Sequence, residues 1–154
     1  MTPGQWTTEA VMKALQGKWR VVYSELDGEM TAVDDFSTIV LENKDNKFFV
    51  EKRGSVAYEG RFSINVSVMP HEIVYIYTKA PNDVFLGGPR AGILQLAGYT
   101  LKTCLGAIGQ RPPTDFSTFP DSQAVLAVHQ RLGEDGKGLG AHFIPPRVGP
   151  DLVW

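Results

Sequence analysis

Between Gly17 and Arg131 the chain alternates apolar and polar residues with a period of two, and most turns between these runs are too short to contain a helix. Trp19, Val21 and Tyr23 alternate with Arg20, Val22 and Ser24, and the run stops at Asp27-Gly28, a strong turn dipeptide. Ser37 to Glu42 is a second run and Lys47 to Lys52 a third, closed by Arg53-Gly54. Ser55 to Ile64 alternates most cleanly, with Val56, Tyr58, Gly60, Phe62 and Ile64 set against Ala57, Glu59, Arg61 and Ser63. Glu72 to Thr78 is rich in β-branched and aromatic residues. Ile93 to Leu96 and Tyr99 to Leu105 make a hairpin around Ala97-Gly98, and Gln123 to Gln130 is the eighth run. Parallel neighbours need long crossovers, so eight such strands form an antiparallel meander. A meander of this length removes its exposed edges by closing. The expected fold is therefore all-β: a closed eight-stranded antiparallel up-and-down barrel.

One segment has helical spacing. Ala10, Val11, Ala14 and Leu15 form a stripe within Thr7 to Leu15, with Thr7 or Thr8 placed to cap it and Glu9 in its first turn. Gly17 stops it. At about two turns this short N-terminal helix is not stable alone and has to dock on the barrel.

Two connections are long. Lys79 to Gly92 holds five Gly or Pro in 14 residues, and Gly106 to Asp121 holds five in 16. Each is either a rigid surface loop or the border of a ligand site. Residues 1–132 are expected to form the barrel domain, and 133–154 a Gly/Pro-rich tail. That tail carries Phe143, Ile144, Leu152, Val153 and Trp154. It is expected to pack on the barrel or on a neighbour, which would make a homo-oligomer.

Composition narrows the function classes. A chain of 154 residues with 43% hydrophobic and 21% charged positions has the size and make-up of one globular domain. Fifteen basic against 17 acidic residues, with no Lys/Arg run, argue against a nucleic-acid partner. One cysteine, Cys104, excludes an internal disulfide and any all-cysteine metal site. The start MTPGQWTTEAVMK lacks a basic segment followed by an apolar one, and no apolar stretch reaches membrane-spanning length. The expectation is a cytoplasmic protein with no membrane partner.

Gly17-x-Trp19, directly after a short helix, resembles the lipocalin signature. In that group the Trp plugs the closed end of the barrel, and a basic residue after the last strand stacks on it. Arg131 stands at the matching place, so the resemblance assigns barrel closure to Gly17, Trp19 and Arg131. Leu15 to Val22 (L-Q-G-x-W-x-V-V), the Asp27-Gly28 turn and Thr100 to Gly106 (T-L-K-x-C-L-G) are more particular. Together they look like a lipocalin-like domain family of planctomycetes and other bacteria. The R-P-x-x-F element that follows in that family is spaced here as Arg111-Pro112-Pro113-Thr114-Asp115-Phe116, a small departure. The resemblance spans about residues 12 to 131 and implies a small β-barrel. It implies little about activity, since that family has no general assigned function.

An eight-stranded barrel is just wide enough to fill with side chains or to hold one small ligand. Alternation points Tyr23, Tyr58 and Phe62 inward, with Tyr75 or Tyr77 from the fifth strand. Tyr23, Tyr58, Phe62, Tyr75 and Tyr77 are thus the candidate ligand-binding residues. One β-bulge would invert this list for its strand. His71, His129 and His142 are scattered, without the spacing of a metal site, and no cofactor is expected. Cys104 reads as a buried structural thiol. No nucleophile elbow is present. The polar groups that merit testing for catalysis are Arg111, Asp115 and His129, together with Tyr58, although Arg111 and Asp115 could equally clamp their loop by an ion pair. The expected function is binding of a small hydrophobic or aromatic molecule. The alternatives are a cofactor-independent cyclase, isomerase or lyase using the same cavity, and an interaction or oligomerisation domain with a filled core.

Overall fold

A computed structural model describes residues 6–140. Helix α1 (Thr8–Leu15) is capped by Thr7, whose hydroxyl accepts from the Ala10 N–H at 3.0 Å, and it buries Val11 and Leu15. Strand β1 (Gly17–Leu26) follows at once, and Gly17 takes the positive φ that the sharp exit from the helix requires. The chain continues through β2 (Glu29–Met30), the single turn α2 (Val33–Phe36), β3 (Ile39–Lys44), β4 (Lys47–Lys52) and β5 (Ser55–Asn65). Strand β6 (His71–Lys79), a 3₁₀ turn at Asp83–Gly87, β7 (Arg90–Ala97), β8 (Thr100–Leu105) and β9 (Val125–Arg131) complete it.

Apart from the two-residue β2, each strand pairs antiparallel with the next, and β1 also pairs with β9 from Trp19↔Arg131 to Leu26↔Val125. The result is a closed eight-stranded antiparallel barrel with one short extra strand on β1 and a short N-terminal helix. Among the described residues no helix is long and apolar enough to cross a membrane.

Three strands begin two or more residues away from where the sequence places them. The second main strand begins at Ile39 rather than Ser37, because Val33–Phe36 coils into a turn that buries Phe36. Strand β7 begins at Arg90, three residues early, since the ladder against Ile73–Tyr75 extends through Ala91 and Gly92. Gly92 looks like a loop residue but serves close packing, as a Cβ there would lie 2.5 Å from the Cys104 carbonyl oxygen. The last strand begins at Val125, after a turn that ends with Gln123 at positive φ.

The apolar residues divide into two clusters. One fills the end of the barrel beneath α1, where Val11 and Leu15 meet Trp19, Phe62, Ile73, Leu94 and Leu101. Trp19 is fully buried and its indole N–H donates to the Leu15 carbonyl at 3.0 Å. The Arg131 guanidinium covers the Trp19 ring while donating to the carbonyls of Gln16, at 2.7 Å, and Ala14. One cation thus lies over the ring at this end of the barrel and caps the C-terminus of the helix lying across it.

The second cluster lies on the outer face: Tyr23, Ile93, Cys104, Ala124, Leu126 and Val128, beneath the segment 106–124. Tyr23 is here because the β1–β9 register shifts between Val21 and Tyr23. That bulge reverses the alternation, so Val21 points inward and Tyr23, expected inward, points out. Its hydroxyl donates to Glu25 at 2.8 Å.

The 106–124 segment is stapled to β1 and the turn after it. The Thr118 hydroxyl donates to Glu25 at 2.6 Å and accepts from the Gly28 N–H at 2.8 Å, and the Gln123 N–H donates to the Asp27 carboxylate. The expected clamp between Arg111 and Asp115 does not form: both are exposed and no ion pair joins them. Neutral donors close at hand hold the loop more cheaply than two solvated side chains would.

Residues after Leu132 fold back on the barrel as far as Gly140. Leu132 bridges to Gly138, and the Leu139 N–H donates to the Arg131 carbonyl at 2.8 Å. Phe143, Ile144, Leu152, Val153, Trp154 and His142 lie outside the described residues, as does any contact of the tail with a neighbour.

Candidate ligand cavity

Above the Trp19 end, the interior is open. A cavity of about 600 Å³ extends from the level of Val21 and His129 to a mouth formed by α2, the 3₁₀ turn and the start of segment 106–124. Its size falls in the range of small-molecule sites, and its walls are mostly apolar. Both long connections border it. The first supplies Val84 and Phe85, because the Asn82 side chain accepts from the Val84 N–H at 3.0 Å and turns the loop inward. The second supplies Ala107 and Ile108, and Gln123 joins them from the turn before β9.

The aromatic wall comes from β4, β5 and β6. Phe48 lies edge-on to Tyr75 and Tyr77, with centroids 4.8 and 5.3 Å apart. Nearer the mouth, Tyr58, Tyr77 and Phe85 form a triangle with sides of 5.8, 5.5 and 5.4 Å. Edge-to-face contacts of this kind hold rings in fixed orientations beyond what area burial alone requires.

Of the residues singled out in the sequence, Tyr58, Tyr75, Tyr77 and His129 line the cavity. Tyr75 and Tyr77 both do so, since positions two apart on a strand share a face. Phe62 points into the barrel but belongs to the packed end, below Tyr75. Tyr23 is on the outer face. Arg111 and Asp115 are exposed and do not line the cavity, so they do not meet His129. The pairing of β9 with β8 and β1 puts His129 deep in the wall, opposite Leu101 and Val21, far from where its loop neighbours emerge.

His129 is buried, with Nδ1 3.1 Å from the Leu101 carbonyl oxygen. A carbonyl can only accept, so Nδ1 carries the proton and Nε2 keeps its lone pair. Burial pulls its pKa down to about 4, and the ring is neutral at physiological pH. Burial likewise raises the pKa values of Tyr75 and Tyr77, so both phenols stay protonated.

Arg90 was not singled out in the sequence, where it follows Gly87-Gly88-Pro89 and reads as loop. It is the first residue of β7, paired with Tyr75, and its half-buried side chain lines the cavity. Nε donates to the Gly106 carbonyl at 2.8 Å, Nη1 approaches the Tyr77 hydroxyl at 3.3 Å, and the guanidinium lies 5.4 Å from the Phe85 centroid. Among the described residues no group of three His, Cys, Asp or Glu side chains is placed to hold a metal ion.

No protein-family model, curated protein or solved structure matches this chain. Its class therefore rests on the architecture, a closed eight-stranded antiparallel barrel with a helix across one end, consistent with a lipocalin-like fold.

Proposed function

We propose that this protein binds a small hydrophobic or aromatic molecule inside its barrel. The observation that carries the reading is the uneven filling of the interior. One end is packed solid around Trp19, whereas the other keeps about 600 Å³ free behind an ordered wall of Tyr58, Tyr75, Tyr77 and Phe85. An interaction domain with a filled core would have no use for that space, because empty apolar volume costs stability. The motif resemblance adds membership of the bacterial lipocalin-like family to this proposal, and the single buried thiol fits an intracellular setting.

The test is native mass spectrometry of the protein as purified, followed by thermal-shift titration with apolar and aromatic small molecules. A co-purified adduct, or a midpoint that climbs with ligand concentration, is the expected result. An apo mass together with concentration-independent midpoints across the series would contradict it.

Cofactor-independent catalysis in the same cavity is a second reading, favoured by one observation. His129 is a neutral imidazole in the cavity wall, with its proton committed to Leu101 and Nε2 left as an acceptor. With its pKa lowered to about 4 it is a weak base, so it takes a proton only from an already acidic position of a bound molecule. Deuterium exchange into a bound ligand, lost in His129→Gln, would support catalysis; a ligand recovered unchanged and unexchanged would leave binding alone.

A further inference from the structure

We propose that the molecule bound in the cavity is a carboxylate, with its apolar body in the aromatic wall and its anionic group against Arg90. This rests on the binding reading above and adds the ligand's charge.

Arg90 brings a permanent positive charge into a cavity whose walls are mostly apolar. Its Nε is committed to the Gly106 carbonyl, and its contact with Tyr77 is long at 3.3 Å. Among the described residues no carboxylate lies within ion-pair distance of it. A guanidinium has five N–H donors in a planar fork, so most of its capacity is unused. The side chain is nevertheless held in place, by Gly106 on one side and by the Phe85 ring on the other. Fixed donors with unspent capacity in a partly desolvated site favour an oxyanion that can accept two of them side by side.

The surrounding groups have the same polarity. The Tyr77 oxygen accepts from Arg90, which leaves its own proton to donate. Tyr75 brings a second phenol onto the same wall, beside Arg90 on the paired strand. Lys52 lies at the rim over the Tyr58 ring, 5.5 Å from its centroid. The acidic residues of the lining, Asp27 and Asp35, follow β1, which stands across the barrel from β6, and Asp27 is already engaged by Gln123. The Arg90 wall thus offers donors and positive charge without an acceptor carboxylate. A single guanidinium matches a singly charged carboxylate better than a doubly charged phosphate.

The experiment is calorimetric titration of the full chain at neutral pH with laurate and 2-naphthoate, each against its primary amide, lauramide and 2-naphthamide. At least one acid should bind about ten-fold or more tightly than its amide, because a hydrogen-bonded charge pair is lost in the amide. Arg90→Gln should bring that acid down to the level of its amide while the amide's own affinity is retained, which also shows that the variant folds. Tyr77→Phe should narrow the preference by a few-fold. An amide binding as tightly as its acid, or a preference that survives Arg90→Gln, would overturn the carboxylate assignment and leave the cavity reading standing. Binding of none of the four would overturn both.

Discussion

The Arg131 guanidinium lies 4.3 Å from the centroid of the Trp19 ring and donates to two carbonyls at the end of α1. These contacts tie the first strand, the last strand and the N-terminal helix together at one point. Arg131→Met keeps much of the aliphatic stem but loses the cation over the ring and leaves the Ala14 and Gln16 carbonyls unmet. The expected loss is about 2–4 kcal/mol in urea unfolding. Arg131→Lys should recover part of it. A loss for Arg131→Met no larger than that of an ordinary surface ion pair would show that the closure does not depend on this residue.

Tyr23 and Tyr77 test the bulge in β1. Tyr23→Phe removes the 2.8 Å hydrogen bond to Glu25 on the outer face and should cost about 1–2 kcal/mol. It should leave ligand-induced thermal shifts unchanged, whereas Tyr77→Phe should weaken them with little effect on stability. The reverse pattern would place Tyr23 inside the barrel.

The bulge also marks where the sequence stops being readable. The closed antiparallel barrel was legible because alternation and short turns leave few other solutions, while the meeting of Trp19 and Arg131 at one end was implied by the resemblance alone. Tyr58 and Phe62 were legible as inward residues from the same alternation, as was one of Tyr75 and Tyr77, whereas alternation alone did not assign the facing of His129. Tyr23 was not, because one extra residue at Val22 inverts the pattern without any signature in composition. Arg90 was hidden by Gly87-Gly88-Pro89 before it and Gly92 after it, which look like loop although the ladder has already begun. Arg111 and Asp115 are close in sequence to strand nine, but the route of the loop between depends on Thr118 meeting Glu25, a contact across 93 residues that no local pattern records.

His129 sets a pH dependence. Its folded pKa of about 4 lies below the 6.5 of an unfolded histidine, so between these values the unfolded chain takes up a proton that the folded one does not. Stability therefore falls as pH drops from about 6.5 to about 4 and takes no further loss from this group below that. The size is up to about 3 kcal/mol, from 1.36 kcal/mol per pKa unit. Urea midpoints of the wild type and His129→Gln, compared across this window, should diverge with the wild type losing more. Parallel curves would mean that His129 titrates normally in the folded protein.

Cys104 is fully buried under segment 106–124, with its thiol 3.5 Å from the Ser117 carbonyl oxygen and its pKa pushed up to about 11 by burial. Reaction with a disulfide reagent at pH 8 should be slow in the native protein and fast in urea. Thr118→Val, which releases the loop from Glu25, should speed the native reaction without unfolding the barrel. Equal native rates would mean that the loop is held by other contacts.

Binding inside the barrel requires that the space above Trp19 receive the ligand. Ala127 lines that space on β9, and Ala127→Phe projects a ring into it without disturbing the packed end. The most direct measurement is a ligand titration followed by thermal unfolding, run on wild type and Ala127→Phe side by side. The expected result is a concentration-dependent rise in midpoint for the wild type and none for the folded variant. An equal rise in both would place the ligand elsewhere and contradict the cavity as the binding site.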